Sequence, residues 1–245
     1  MKMTNIVITG GYGILGRELA DQLRYYRHMI NDYVNFGYIY QTLGHDIDDL
    51  TVDVDLSYLG VHPDLIIHCA ALKVGSKFEL CNNNIKATLN VVNYARVHAS
   101  RLIYISTDYV YPGITGNYDV TDSLNPVNYY AKTKLAGEYI TQSLDNYLII
   151  RTSFYPKDQF PYTKAYVDKF TSKDYVNRIV TLMIPHIIKF DQVGIINVGR
   201  VLASSEYELA REVMPNIEGI SMPPGMLPRD SSMKIEEDEV DEYWI

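Results

Sequence analysis

Thr9-Gly10-Gly11-Tyr12-Gly13-Ile14-Leu15-Gly16 follows the β-branched run Ile6-Val7-Ile8 and opens an amphipathic segment from Ile14 to His28. A glycine turn between a strand and a helix is the context in which such spacing marks a dinucleotide phosphate site. Gly10 permits the tight turn, Gly13 lets the backbone approach a pyrophosphate, and Gly16 lets the helix pack against the strand, while the helix N-terminus faces the negative charge. Ile14 and Leu15 belong to the same cofactor-binding set. With 15 glycines in 245 residues, three at fixed places arise by chance about 2 times in 10,000, so an ordinary glycine turn is the weaker explanation.

Outward from that turn, Leu65-Ile66-Ile67, Leu102-Ile103-Tyr104-Ile105, Leu148-Ile149-Ile150 and Ile195-Ile196 read as further strands buried on both faces. Between them, Asn83 to Ala99, Tyr129 to Leu144 and Asp174 to Ile188 carry apolar residues at helical spacing. Repeated strand, helix, strand units predict an α/β, doubly wound parallel sheet of the Rossmann type in a single domain over 1–245, with a small, abridged C-terminal substrate-binding part. Substrate-binding elements are expected at about 153–175 and 200–235. Tyr38-Ile39-Tyr40 reads as a second strand that arrives late, and Pro223-Pro224-Gly225 with Pro228 as a loop over the site.

The net charge of −8 argues against nucleic-acid partners, whose binding depends on clustered Lys and Arg. Much of that charge sits in Glu236-Glu237-Asp238-Glu239 with Asp241 and Glu242, an expected solvated tail over 236–245. Two cysteines, Cys69 and Cys81, form no zinc set, so no metal site is expected. No apolar run approaches a membrane span and no leader precedes the first strand, which predicts a cytoplasmic protein with no membrane partner. His68 lies between strand residues and reads as a packed, hydrogen-bonded core histidine.

Tyr130 and Lys134 stand four apart at the start of the helix after Asn125-Pro126 and share one helix face. Free tyrosine titrates near ~10, so proton exchange at neutral pH calls for a neighbouring cation, and this spacing lets Lys134 approach the Tyr130 hydroxyl and lower its pKa. Spacing proves little, since 22 tyrosines yield about one such pair by chance. Location adds more: Ile105-Ser106-Thr107-Asp108-Tyr109 ends a buried strand in hydroxyl residues, at the sheet edge where open α/β folds bind ligands.

Thr9 to Gly16, His68-Cys69-Ala70-Ala71, Ser106 to Gly113, Tyr130 to Glu138, Arg151-Thr152-Ser153 and Pro228-Arg229-Asp230-Ser231-Ser232 together resemble the extended short-chain dehydrogenases, most closely the dTDP-4-dehydrorhamnose reductase branch of nucleotide-sugar enzymes. The resemblance covers nearly the whole chain. It implies that Thr107 hydrogen-bonds the sugar carbonyl, Tyr130 protonates its oxygen, and Lys134 holds both Tyr130 and the nicotinamide ribose. It further implies that Ala70, Ala71 and Lys73 line the cofactor pocket, that Asp55-Leu56 form the adenine-side loop, and that Asn84 is structural. Asp108, Tyr109, Phe154 and Arg229 become substrate-side residues, with Arg229 either clamping a diphosphate or tying a loop, and Arg151 ordering the strand end. Phe36 to Leu43 carries no carboxylate for a ribose, the next candidates being Asp46, Asp53 and Asp55, which favours NADP, with NAD as the alternative. A helix-mediated homodimer is common in that superfamily.

The implied activity is reduction of the C4 ketone of a nucleotide-activated 4-keto-6-deoxyhexose, as in rhamnose biosynthesis. Three departures keep other readings open. Phe154 stands where the reductases carry tryptophan, and the segment after Ser153 is shorter than theirs. Sister 4,6-dehydratases have an Asp-Glu pair after the threonine, whereas Asp108 is followed here by Tyr109, and a 4-epimerase stands beside them. Ala71-Leu72-Lys73 is similar to the capsular-sugar dehydratase/epimerases. A non-catalytic alternative is the regulatory beta subunit of methionine adenosyltransferase, which shares the Tyr and Lys pattern.

Overall fold

The computed structural model describes residues 5–30, 42–43, 50–52, 54 and 62–236. Tyr38-Ile39-Tyr40, Asp46, Asp53, Asp55, Leu56 and the acidic tail beyond Glu236 lie outside the described residues, so the second-strand and ribose-side expectations fall there.

The glycine turn joins β1 (Ile6–Thr9) to α1 (Ile14–Ile30). A short β2 (Thr42–Leu43), β3 (Leu65–His68), β4 (Arg101–Thr107), β5 (Tyr147–Thr152) and β10 (Gly194–Asn197) complete a parallel sheet in the order β10-β5-β4-β3-β1-β2. The chain leaves β1 toward β2 on one side and returns to β3 on the other. That reversal makes the carboxyl ends of β1 and β3 the topological switch point, where an open α/β sheet forms its ligand crevice.

Alternate strand residues feed two cores, because successive side chains point to opposite faces. Ile6, Ile8, Ile67, Ile103, Ile105, Leu148 and Ile150 pack against Leu15, Leu19 and Leu23 of α1 and against Ile179, Met183 and Ile187 of α5 (Val176–Ile188). Val7, Ile66 and Leu102 face α3 (Ala87–His98) through Val91, Val92 and Ala95. On that same side lies α4 (Tyr129–Thr141), started by Asn128, whose side chain accepts from the Ala131 amide at 2.8 Å.

The helix expected over 83–99 begins earlier, at α2 (Lys77–Cys81), because Ser76 and Glu79 close a reciprocal capping box. A π turn over Asn82–Lys86 then joins α2 to α3. The helix expected from Asp174 begins instead at Val176, since Asp174–Tyr175 forms β9 and pairs with β6 (Phe154–Tyr155).

Among the described residues, three two-stranded sheets build the smaller part: β6 with β9, β7 (Lys164–Tyr166) with β12 (Glu218–Ile220), and β8 (Phe170–Thr171) with β11 (Ser204–Ser205). Tyr155, Phe160, Tyr175, Leu209 and Ile217 form its own apolar centre, beside the short α6 (Glu206–Arg211). No described helix is long and apolar enough to cross a membrane.

Candidate active site

The glycine turn is closed on the protein side and open to solvent. Gly10 has φ +66°, and a Cβ there would fall 2.7 Å from the Ala70 backbone. A Cβ on Gly16 would lie 2.5 Å from the Gly10 carbonyl oxygen, so Gly16 admits the turn's own backbone rather than the strand. Gly13 is exposed, and within 4 Å a Cβ there would meet only the Gly10 oxygen, at 3.1 Å. Thr9 ties the turn to the β3 loop, its Oγ1 accepting from the Ala70 amide at 3.3 Å and its carbonyl from the Cys69 amide at 3.2 Å. A bare backbone cradle at a helix N-terminus is what a dinucleotide pyrophosphate requires, and the residues present fit that group. Ile14 is exposed beside it, while the Leu15 side chain belongs to the core. At the same sheet edge Thr152 Oγ1 is buried without a hydrogen-bond partner among the described residues.

Asn84, turned inward by the π turn, staples the Ala70-Ala71 loop to α4. Its Oδ1 accepts from the Leu72 amide at 2.7 Å, and its Nδ2 donates to the Leu72 carbonyl at 2.8 Å and to Thr133 Oγ1 at 2.9 Å. Thr133 Oγ1 in turn donates to the Tyr130 carbonyl at 2.7 Å. The asparagine has the structural role that the resemblance implied, tying the β3 loop to the first turn of α4.

Tyr130 and Lys134 occupy the first turns of α4, but their electrostatics differ from the sequence expectation. Burial, then the neighbouring Asp108 and Tyr109, hold the Tyr130 phenol well above its ordinary range. Lys134 does not lower it: the ammonium lies 4.0 Å over the Tyr104 ring and no hydrogen bond joins it to Tyr130. Burial pulls Lys134 down to about 7, a shift that Cys69 and Glu138 oppose and Lys73 reinforces. A shared helix face brings two side chains near, yet the Lys134 ammonium lies against the buried Tyr104 ring rather than at the Tyr130 hydroxyl.

Thr107 ends β4 and caps a 3-10 turn over Asp108–Val110, its Oγ1 accepting from the Tyr109 amide at 3.3 Å and donating to Asp108 Oδ1 at 3.1 Å. Asp108 is buried, and its other oxygen accepts from Ser231 Oγ at 2.8 Å, so this carboxylate anchors the late Pro228-to-Ser232 segment beneath the site. The Arg229 and Asp230 amides continue that anchor by donating to the Gly113 carbonyl. Arg229 takes the loop-tying role, pairing with Asp168 at 2.7 Å. The Met222 amide also donates to Asp168, which fixes the Pro223-Pro224-Gly225 loop on the smaller part. Phe154 carries the Lys73 ammonium 5.0 Å from its ring centroid, placing the β3 loop against β6.

Beneath α4, Glu138 and Arg151 form a buried ion pair at 2.8 Å. Glu138 also accepts from Ser106, and Arg151 Nη1 reaches the Tyr111 hydroxyl at 2.9 Å and the Val120 carbonyl at 3.1 Å. Every charge there is hydrogen-bonded, the condition under which a buried pair is tolerated. Arg151 thus orders the strand end through Glu138. His68 is fully buried between Thr9 Oγ1 at 2.6 Å and Thr88 Oγ1 at 3.1 Å, and burial lowers it to about 3, so it is a neutral core residue.

One residue that the sequence did not single out stands among these groups: Lys173, between β8 and β9, donates to the Tyr109 hydroxyl at 3.2 Å. A single lysine in a short connection carries no local periodicity by which it could be found.

Over 166 residues the chain is 31% identical to the dTDP-4-dehydrorhamnose reductase of Aggregatibacter actinomycetemcomitans, covering 62% of this chain and 52% of that one. It is 31% identical over 145 residues to the bovine (Bos taurus) methionine adenosyltransferase 2 subunit beta, covering 54% of this chain and 41% of that one. The chain therefore spans about half the length of the curated relatives it matches. Among solved structures, the dTDP-4-dehydrorhamnose reductase of Bacillus anthracis in complex with NADP shares the fold, with a TM-score of 0.80, 24% identity, and coverage of 96% of this chain and 91% of that one. The sequence signature of the RmlD substrate binding domain extends over residues 3–215, and the chain belongs to that family.

Proposed function

We propose that this protein binds NADP(H), with NAD as an alternative, and reduces the C4 ketone of a nucleotide-activated 4-keto-6-deoxyhexose. The observation that carries the reading is the meeting, at one sheet edge, of the open glycine cradle with Thr107, Tyr130 and Lys134. Gly10, Gly13 and Gly16, with the amides of Ile14 and Leu15, would hold the pyrophosphate; Ala70, Ala71 and Lys73 line the adjoining wall, and Lys134 would take the ribose. When bound, the dihydronicotinamide supplies the reducing equivalent.

The chain's own groups handle the proton. Tyr130 stays fully protonated at neutral pH because its phenol is held above the ordinary range. It is thus a loaded donor to an alkoxide forming on the sugar. After the transfer its phenolate needs a cation, and Lys134, which at about 7 changes charge near neutral pH, is one helical turn away. Thr107 would turn its hydroxyl from Asp108 to the substrate oxygen.

Likeness to the reductases and the adenosyltransferase subunit is similar in extent, so a cofactor-binding regulatory subunit is the second reading. The test is loss of dihydronicotinamide absorbance with purified protein and freshly prepared dTDP- or UDP-4-keto-6-deoxyglucose. Oxidation that depends on the sugar supports the reductase; tight NADPH binding without turnover on either sugar supports the regulatory subunit.

A further inference from the structure

Lys173 is a buried lysine with no carboxylate at ion-pair distance among the described residues. Only 8% of the residue is exposed. Its ammonium donates to the Tyr109 hydroxyl at 3.2 Å and lies 4.9 Å from the Tyr109 ring centroid and 5.2 Å from that of Tyr155. The surrounding carboxylates are already engaged. Asp108 accepts from Thr107 and Ser231, and Glu206 accepts from Lys169 at 2.6 Å and Tyr155 at 2.8 Å. Lys73 is another nearby cation, beside the Lys169 already paired to Glu206. Although burial opposes the charge, Tyr109, Tyr155, Asp108 and Glu206 outweigh it and keep Lys173 protonated.

An ammonium has no lone pair, so in this bond the Tyr109 oxygen must accept. The phenol's own proton is thereby committed elsewhere, and none of the described residues accepts it. An oxygen that accepts a charge-assisted hydrogen bond is polarised into a stronger donor. Tyr109 is half-buried and close enough to Tyr130 for the two phenols to interact electrostatically, so both belong to the substrate side of the site.

We propose that Lys173 is a positioning residue that fixes Tyr109 as a hydrogen-bond donor to an oxygen of the substrate sugar, making the site selective for a sugar with an acceptor oxygen beside the reacting carbonyl. The inference rests on the reductase reading for the ligand's class, a nucleotide sugar.

The test is calorimetric binding of dTDP-rhamnose, with dTDP alone as the control that lacks the sugar, to the intact protein and to Lys173→Met, Lys173→Arg, Tyr109→Phe and the Tyr109→Phe/Lys173→Met double variant. Lys173→Met should weaken dTDP-rhamnose about tenfold and dTDP by less than about twofold. Lys173→Arg, which keeps a donor cation, should stay within about threefold. In the Tyr109→Phe background, Lys173→Met should add no further loss. Equal weakening of both ligands, additive losses in the double variant, or no gain from the sugar in the unmodified protein would each overturn the proposal. Sugar binding with the expected split but no turnover of a keto-sugar would overturn the reductase reading alone.

Discussion

Two tyrosine–lysine couples stand at the same sheet edge and are built in opposite ways. Tyr130 and Lys134 share one helix, yet the lysine rests on the Tyr104 ring and makes no hydrogen bond to its phenol. Tyr109 and Lys173 are 64 residues apart and come from different parts of the molecule, yet they make the direct contact, at 3.2 Å. Burial disfavours the charge on both lysines, and their neighbours decide the outcome. Lys134 is lowered to about 7, whereas Lys173, ringed by phenols and carboxylates, is held well above its ordinary value. The lesson is division of labour: one couple keeps a proton ready and a cation whose charge is adjustable, and the other fixes a permanent cation that orients a donor.

The largest effect expected from breaking the comparison is on turnover. Tyr130→Phe should lower kcat by about 10³-fold or more while leaving NADPH affinity nearly unchanged, because it removes a proton donor without touching the glycine cradle. Near-normal turnover by that variant would transfer the donor's role to Tyr109.

Next is the support beneath the first couple. Arg151→Met leaves Glu138 buried with its arginine partner gone, and should cost about 3–5 kcal/mol in urea denaturation. Pairing it with Glu138→Leu should recover much of that loss, because the desolvated charge goes too. If the single and double variants lose stability equally, the network is not held by charge.

A smaller effect separates the lysines by pH. The folded-state value of Lys134 lies below its unfolded value, so the unfolded chain binds more protons between about 7 and 10.5, and this group's destabilisation is complete below 7 and fades as pH rises through that window. Lys134→Met should therefore stabilise the protein by about 2 kcal/mol at pH 6 and by little near pH 10, read from denaturation at both values. Lys173 has a raised folded-state value, so Lys173→Met should give no such gain at pH 6. The smallest expected effect is the roughly tenfold sugar-specific weakening by Lys173→Met.

The parallel sheet was legible because strands buried on both faces must be continuous apolar runs, as Leu65 to Ile67 and Leu148 to Ile150 are. The cradle was legible because a backbone turn at φ +66° pressed against Ala70 demands glycine at residue 10. The start of α2 was missed because its signal is a four-residue capping box rather than an apolar stripe. Asp108 and Arg229 were placed on the substrate side by position in a motif, but Ser231 and Asp168 claim their charges. Nothing near those residues in the chain identifies their partners.

The sequence by itself determined the alternation of the main parallel strands with their helices and the glycine turn, which follow from local apolar runs and glycine spacing, and it set Thr107 at the end of a buried strand and Tyr130 and Lys134 on one helix face. Only the tertiary structure decided which cation meets which phenol. Side-chain reach and the competition between desolvation and neighbouring charge depend on groups that the fold brings together, and Lys173 meets Tyr109 only after the smaller part closes against the end of β4.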